Sequence, residues 1–166
     1  MGGLTLLQHK VPTLVSGSGA AKFIELMAPC QMNLNKVSDK PGDAIAVKLV
    51  RSIYMKGVAT LEVEMLEAAN KLQVEDLVLN SIASSVDAKP FKDMMNFLVT
   101  ASAIHAERQT HEMADCMAML RDLGITPTMT EATMKSLKWL SDKKLKDKFQ
   151  GKVPARWQDV VQAWGE

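Results

Sequence analysis

The sequence is short of the features that usually advertise a chemistry. It has two cysteines, Cys30 and Cys116, far apart and with no C-x-x-C partner. Neither a disulfide framework nor a zinc knuckle is indicated, and a reducing, cytoplasmic setting is the expectation. No apolar run approaches the roughly 20 residues of a spanning helix. The opening Met-Gly-Gly-Leu-Thr-Leu-Leu-Gln-His-Lys lacks the basic start and long apolar centre of a secretory signal. No charge sign dominates either. Twenty Lys and Arg stand against 19 Asp and Glu, for a net charge of +1. No field for nucleic acid or an anionic membrane follows, so neither is expected as a partner.

Recognisable ligand loops are missing as well. Ser16-Gly-Ser-Gly19 precedes a helix but lacks the Gly-Lys-Ser/Thr ending of a phosphate loop and the G-x-G-x-x-G spacing of a dinucleotide turn. It reads as a plain turn, and no other stretch supplies the fingerprint. No NAD or NADP is therefore expected to bind this chain by itself. His111-Glu112 lacks the second histidine of H-E-x-x-H, and no metal site is expected.

What is present is an ordinary globular composition, 47% hydrophobic and 23% charged, in 166 residues. That length suits one domain, or one domain plus part of another. Twelve methionines against 5% aromatics point to a core filled by flexible side chains.

The pattern changes at Pro41-Gly42. Before it, the β-branched run Val11–Val15 reads as a strand and Ala20–Met27 as a helix, with apolar Ala20, Phe23, Ile24 and Met27 and a stop at Pro29. Met32–Val37 alternates as a second strand. A single β-α-β unit cannot bury both its faces, so residues 1–41 read as the edge of a larger parallel sheet. Residues 42–166 read as all-α. Asp43–Leu72 keeps an apolar stripe through Ile45, Leu49, Ile53, Val58, Leu61, Met65 and Ala68, and should be buried along much of its length. A shorter helix is predicted over Asp76–Ser84. A long one opens at Asp87 with Pro90 in its first turn and stops at Gly124. Thr128-Met-Thr-Glu131 has the spacing of a capping box, and a last helix begins at Pro154. Lys143-Lys-Leu-Lys146 reads as an exposed face or loop.

Lys48, Ser52 and Lys56 recur every four residues on one side of the first long helix. Desolvation in a cleft lowers an ammonium pKa and fits a lysine for proton transfer. The same spacing also suits lysines that snorkel to solvent. On the second long helix His105, Arg108 and Glu112 share a face, which could belong to a pocket, a subunit seam or a solvated surface.

These residues carry a resemblance. Lys48-Leu-Val-Arg51-Ser52 followed by Lys56-Gly57 resembles the start of the helical domain in β-hydroxyacid dehydrogenases. More closely it resembles a phosphogluconate-dehydrogenase-like branch with a distinctive C-terminal domain. Val11-Pro-Thr-Leu-Val-Ser16-Gly17 is similar to the last strand and turn of that family's nucleotide-binding domain. His105-Ala-Glu-Arg108, with Glu112-Met113, resembles a signature of the branch, and Leu123-Gly124-Ile-Thr-Pro127 and Glu131-Ala-Thr133 are similar to the segments after it. The likeness runs from about Val11 to Leu140.

The resemblance implies a helical C-terminal dehydrogenase domain (42–166) preceded by a truncated β-α-β remnant of a Rossmann sheet (1–41). It implies a parent enzyme that oxidises a small hydroxy acid with NAD or NADP. Lys48 stands at the catalytic lysine, and Ser52 stands where the wider family has a substrate-binding asparagine. Lys56, His105, Arg108 and Glu112 are candidate substrate-binding residues. A homodimer through the long helices is expected from their apolar stripes. The alternative is a non-enzymatic helical dimerisation module.

Overall fold

The computed structural model describes residues 8–165. The chain is mainly helical, with a small parallel sheet on the N-terminal side followed by a helical domain. It divides into two compact units, Met1–Ala59 and Thr60–Glu166. This packing division falls inside a helix, beyond the change of sequence pattern at Pro41-Gly42.

In the first unit, β1 (Thr13–Ser16) and β2 (Leu34–Ser38) flank α1 (Ala20–Met27). The strands are parallel, with Thr13 opposite Leu34 and Val15 opposite Lys36. Parallel pairing needs a crossover between the strands, and α1 supplies it. Gly17 turns the chain out of β1 at φ +117°, a conformation that side chains disfavour. Two strands cannot enclose a core, and Leu14 and Val37 stay exposed.

Helix α2 (Asp43–Leu72) has the bounds its periodicity predicts. Its burial differs from the expectation. Only Glu64, Ala68 and Ala69 are buried, while Ile45, Leu49 and Ile53 are exposed, Ile53 at 75%. Among the described residues the first half of the apolar stripe is uncovered, while Ala68 near its end is buried.

The second unit contains the end of α2 and then α3 (Glu75–Val86), α4 (Phe91–Asp122), α5 (Thr128–Asp142), α6 (Leu145–Lys148) and α7 (Trp157–Gly165). Helix α4 is the hub, packing mainly on α5 and also on α7 and α6. One cluster joins Ala68, Leu120 and Ile125; another joins Ala103, Leu145 and Val160. Helix α3 buries none of its residues.

Several helix ends correct the sequence reading. The α4 helix starts at Phe91 with Pro90 as its N-cap, not at Asp87, because the residue before a proline avoids helical dihedrals. Helix α7 starts at Trp157, three residues after Pro154. The stretch read as an exposed lysine-rich face contains the start of α6, and Leu145 within it is only 1% exposed. Thr128 is the first residue of α5 and caps nothing; Pro127 is the N-cap, and Glu131 pairs with Lys135 at 2.7 Å. The capping group comes from α2 instead. Glu64 accepts the backbone N–H of Met129 at 2.7 Å and of Thr130 at 2.8 Å, and the Thr130 hydroxyl at 2.6 Å.

The α4 C-terminus closes as a Schellman motif. Gly124 N–H bonds to Arg121 C=O at 2.9 Å and Ile125 N–H to Leu120 C=O at 2.8 Å, with Gly124 at φ +70°. Lys71 Nζ donates to Leu123 C=O at 2.8 Å beside it. The start of α7 is held by Asn96 of α4. Its Oδ1 accepts from Trp157 N–H at 2.8 Å and its Nδ2 donates to Ala155 C=O at 2.9 Å.

Candidate functional site

The start of α2 is fixed by the carboxyl ends of both strands. Ser16, closing β1, accepts the Ala44 N–H on its hydroxyl at 3.0 Å. Ser38, closing β2, donates its hydroxyl to Asp43 Oδ2 at 2.6 Å and accepts Lys40 N–H at 3.1 Å. Gly42 makes the bend at φ +94°. Ser16 thereby acts as a distant N-cap, satisfying one of the orphan donors of the helix's first turn.

This arrangement borders an open pocket of about 420 Å³ at the carboxyl end of β1. Ser16 and Val15 of β1, Gly19, Ala20 and Phe23 around α1, and Gly42, Ala44 and Ile45 at the start of α2 all line it. Lys48 lies one turn beyond Ala44 on the same helix face, followed by Ser52 and Lys56. Lys48 and Lys56 are exposed and Ser52 is half-buried. Among the described residues Lys48 has no carboxylate within ion-pair distance.

The other predicted residues lie in the second unit, on α4. His105 and Arg108 line a cavity of about 380 Å³ together with Ile104, Glu107, His111 and Lys146. Glu112 lies outside it and pairs with Arg108. The sequence reading missed His111 and Lys146 as wall residues. His111 was legible, being six residues beyond His105 and three beyond Arg108, which puts it beside Arg108 on the helix. Lys146 was not, because its place depends on how α6 folds back on α4. Predicted residues thus form two groups, one in each compact unit.

The groups with shifted pKa values are elsewhere. Burial pushes the Glu64 carboxyl up, but the hydrogen bonds from the Thr130 hydroxyl and the Met129, Thr130 and Thr128 backbone outweigh it and hold it below the ordinary glutamate value. Glu131 is lowered by its hydrogen bond and charge interaction with Lys135. Hydrogen bonding between Arg156 and Asp159 raises the first and lowers the second. All four serve helix ends or surface pairs. Among the described residues no cluster of His, Cys, Asp and Glu could hold a metal, and no helix is long and apolar enough to cross a membrane.

Comparison with known proteins adds a family match. Residues 69–140 match the model of a family described as a domain of unknown function (DUF1932). His105, Arg108, Glu112 and Gly124 fall inside the match; Lys48, Ser52 and Lys56 precede it. Among particular proteins, an uncharacterized 28.5 kDa protein in the 7S RNA 5' region of Methanothermus fervidus is 26% identical over 136 residues, covering 82% of this chain and 53% of that protein. The chain spans about half the length of this curated relative. A crystal structure of a conserved hypothetical protein from Sinorhizobium meliloti 1021 is 25% identical, covering 99% of this chain and 54% of that one at a TM-score of 0.47.

Proposed function

We propose that this chain is the substrate-binding and dimerisation part of an NAD(P)-dependent oxidoreductase acting on a small hydroxy acid, with Lys48 as its catalytic lysine. The observation that carries this reading is the anchoring of the lysine helix to the carboxyl ends of two parallel strands beside a cavity. Substrates of parallel α/β folds collect at that end of the sheet. The family match over residues 69–140 supports the class.

The residues present do not suit a dinucleotide. The 420 Å³ cavity is lined by apolar side chains, glycines and Ser16, with no cation to meet a pyrophosphate and no acid to meet a ribose. In this proposal the cofactor is held by residues outside this chain. Lys48 contributes the proton side of the reaction: its neutral amine takes the proton from the substrate hydroxyl oxygen, and its ammonium returns it in the reverse direction. Ser52, one turn on, offers a hydroxyl to a substrate oxygen, without an amide's paired donor and acceptor.

The test is turnover of short hydroxy acids with NAD or NADP by a polypeptide spanning the full length of the relatives. Lys48→Met is expected to fold and bind cofactor but lose about a hundredfold to ten-thousandfold in kcat. Near-normal kcat in Lys48→Met alongside loss in Lys56→Met or Arg108→Met would move the catalytic role elsewhere. Titration of the chain alone with NAD and NADP by calorimetry is expected to give no heat of binding.

A second reading is favoured by one observation, the exposure of much of the apolar faces of α2 and α3. It makes the chain a dimerisation module without catalysis. The two readings share the dimer and differ in the turnover experiment.

A further inference from the structure

Helix α3 poses a physical problem. Val78, Leu79, Ile82 and Val86 fall within about 100° of one another around its axis at 100° per residue. None is buried, and α3 makes no extensive contact with another element. An isolated helix of 12 residues is marginal in water, and its stability normally comes from packing an apolar face. Helix α3 therefore needs a surface that the described residues of its own chain do not give it.

The same unit contains a surface without an occupant. Leu98, Val99 and Ser102 of α4, the stretch of α5 between Lys135 and Leu140, and Trp164 of α7 line an apolar groove of about 660 Å³. Trp139 and Trp164 meet edge to face at it, with centroids 5.6 Å apart. Trp139 and Leu98 stay about half exposed.

We infer that α3 of one copy of this chain seats in the α4–α5–α7 groove of a second copy, and reciprocally. This rests on the dimer shared by both functional readings, and gives it a particular interface. Three observations favour a second copy as the occupant. The first is reach: residues 87–90 alone separate α3 from α4, and Leu98 lies two turns into α4, so α3 is tethered close to the helix that forms one wall of the groove. The second is charge. Helix α3 carries Glu75 and Asp76 and no basic residue, whereas Lys143 lies over the Trp139 ring at the groove. The third is area. Half-exposed aliphatic side chains offer roughly 50 Å² each and an indole about twice that. Two reciprocal contacts then bury roughly 1,200 Å² in all at the usual apolar share, the lower bound for a specific dimer.

The experiment uses the whole chain with Cys30→Ser and Cys116→Ser. One preparation carries Ile82→Cys and another Ser136→Cys; they are mixed and oxidised. The expected result is a covalent dimer linking the two preparations, with tryptophan fluorescence that depends on concentration. By sedimentation, Ile82→Glu should raise the dimer dissociation constant at least about tenfold, while Asn80→Glu on the opposite face should not. A dimer by mass with no cross-link between the two preparations overturns this interface and leaves the dimer reading standing. A monomer at high micromolar concentration overturns both. If Ile82→Glu does not fold, the cross-link decides alone, since both cysteine substitutions are small.

Discussion

The two compact units use the same device to place their helices but differ in what they bury. In Met1–Ala59 the buried hydrophobic residues are Val11 and Ala20, among the described residues. In Thr60–Glu166 there are two clusters, and the side chains of Leu145 and Val160 are closed off from solvent. Yet both units start their key helices with a side chain borrowed from far along the chain: Ser16 for α2, Glu64 for α5 and Asn96 for α7. Hydrogen bonding thus fixes a helix's position even where hydrophobic burial is meagre. Burial then decides stability, and borrowed caps decide geometry.

The largest expected effect tests the burial side. Leu145→Ala removes a side chain that is 1% exposed and should cost about 2–5 kcal/mol in urea unfolding. Leu14→Ala, in the exposed sheet of the first unit, should cost well under about 1.5 kcal/mol, less than the cost of burying such a side chain in full. Equal costs would break the contrast between the units.

Next comes the buried carboxylate. Glu64→Gln should cost about 1–3 kcal/mol, because three donors lose a charged acceptor. The sign of its pH dependence follows from the lowered folded-state pKa. Glu64 contributes stability above the unfolded-state value of about 4.3, and that contribution is lost as pH falls through the lower folded value. Wild type and Glu64→Gln should therefore converge in acid-unfolding curves as pH falls below that lowered folded value. A constant gap between them down to the lowest pH would show that Glu64 is not charged in the folded chain.

Asn96→Ala should cost about 1–2 kcal/mol by orphaning Trp157 N–H and freeing the start of α7. Retention of normal hydrogen-exchange protection at residues 157–160 would contradict this. The smallest effect is expected at Gly124→Ala, about 1 kcal/mol in the same urea assay. An added Cβ there meets nothing within 4 Å, so only the φ of +70° opposes it.

Much of the architecture was legible. The β-α-β unit, α1 and the long α2 followed from periodicity, because each repeats a local pattern over several residues. The paired residues of the candidate site were legible in the same way: Lys48 with Ser52, and His105 with Arg108, share helix faces by spacing alone. Three things were not. The capping box read at Thr128–Glu131 had the right letters, but Glu64, 66 residues before Thr130, takes the donors. The stretch from Lys143 to Lys146 looked solvated by composition, yet Leu145 docks against Ala103 and Val160. The apolar stripe of α2 looked like a buried face, yet it is largely exposed.

Dihedral preferences and hydrophobic period act within a few residues of one another, so local amino-acid order is enough to set which segments form helices and strands. It also sets which polar side chains share a face. Where those faces point, which distant side chain caps each helix, and the sharing of a cavity wall by His111 and Lys146 with His105 and Arg108 come from long-range packing. Those outcomes depend on how elements far apart in sequence pack, and no local preference encodes that. The exposed stripe on α3 shows the limit sharply: its pattern specifies an apolar face, but what covers that face is a property of packing beyond the helix.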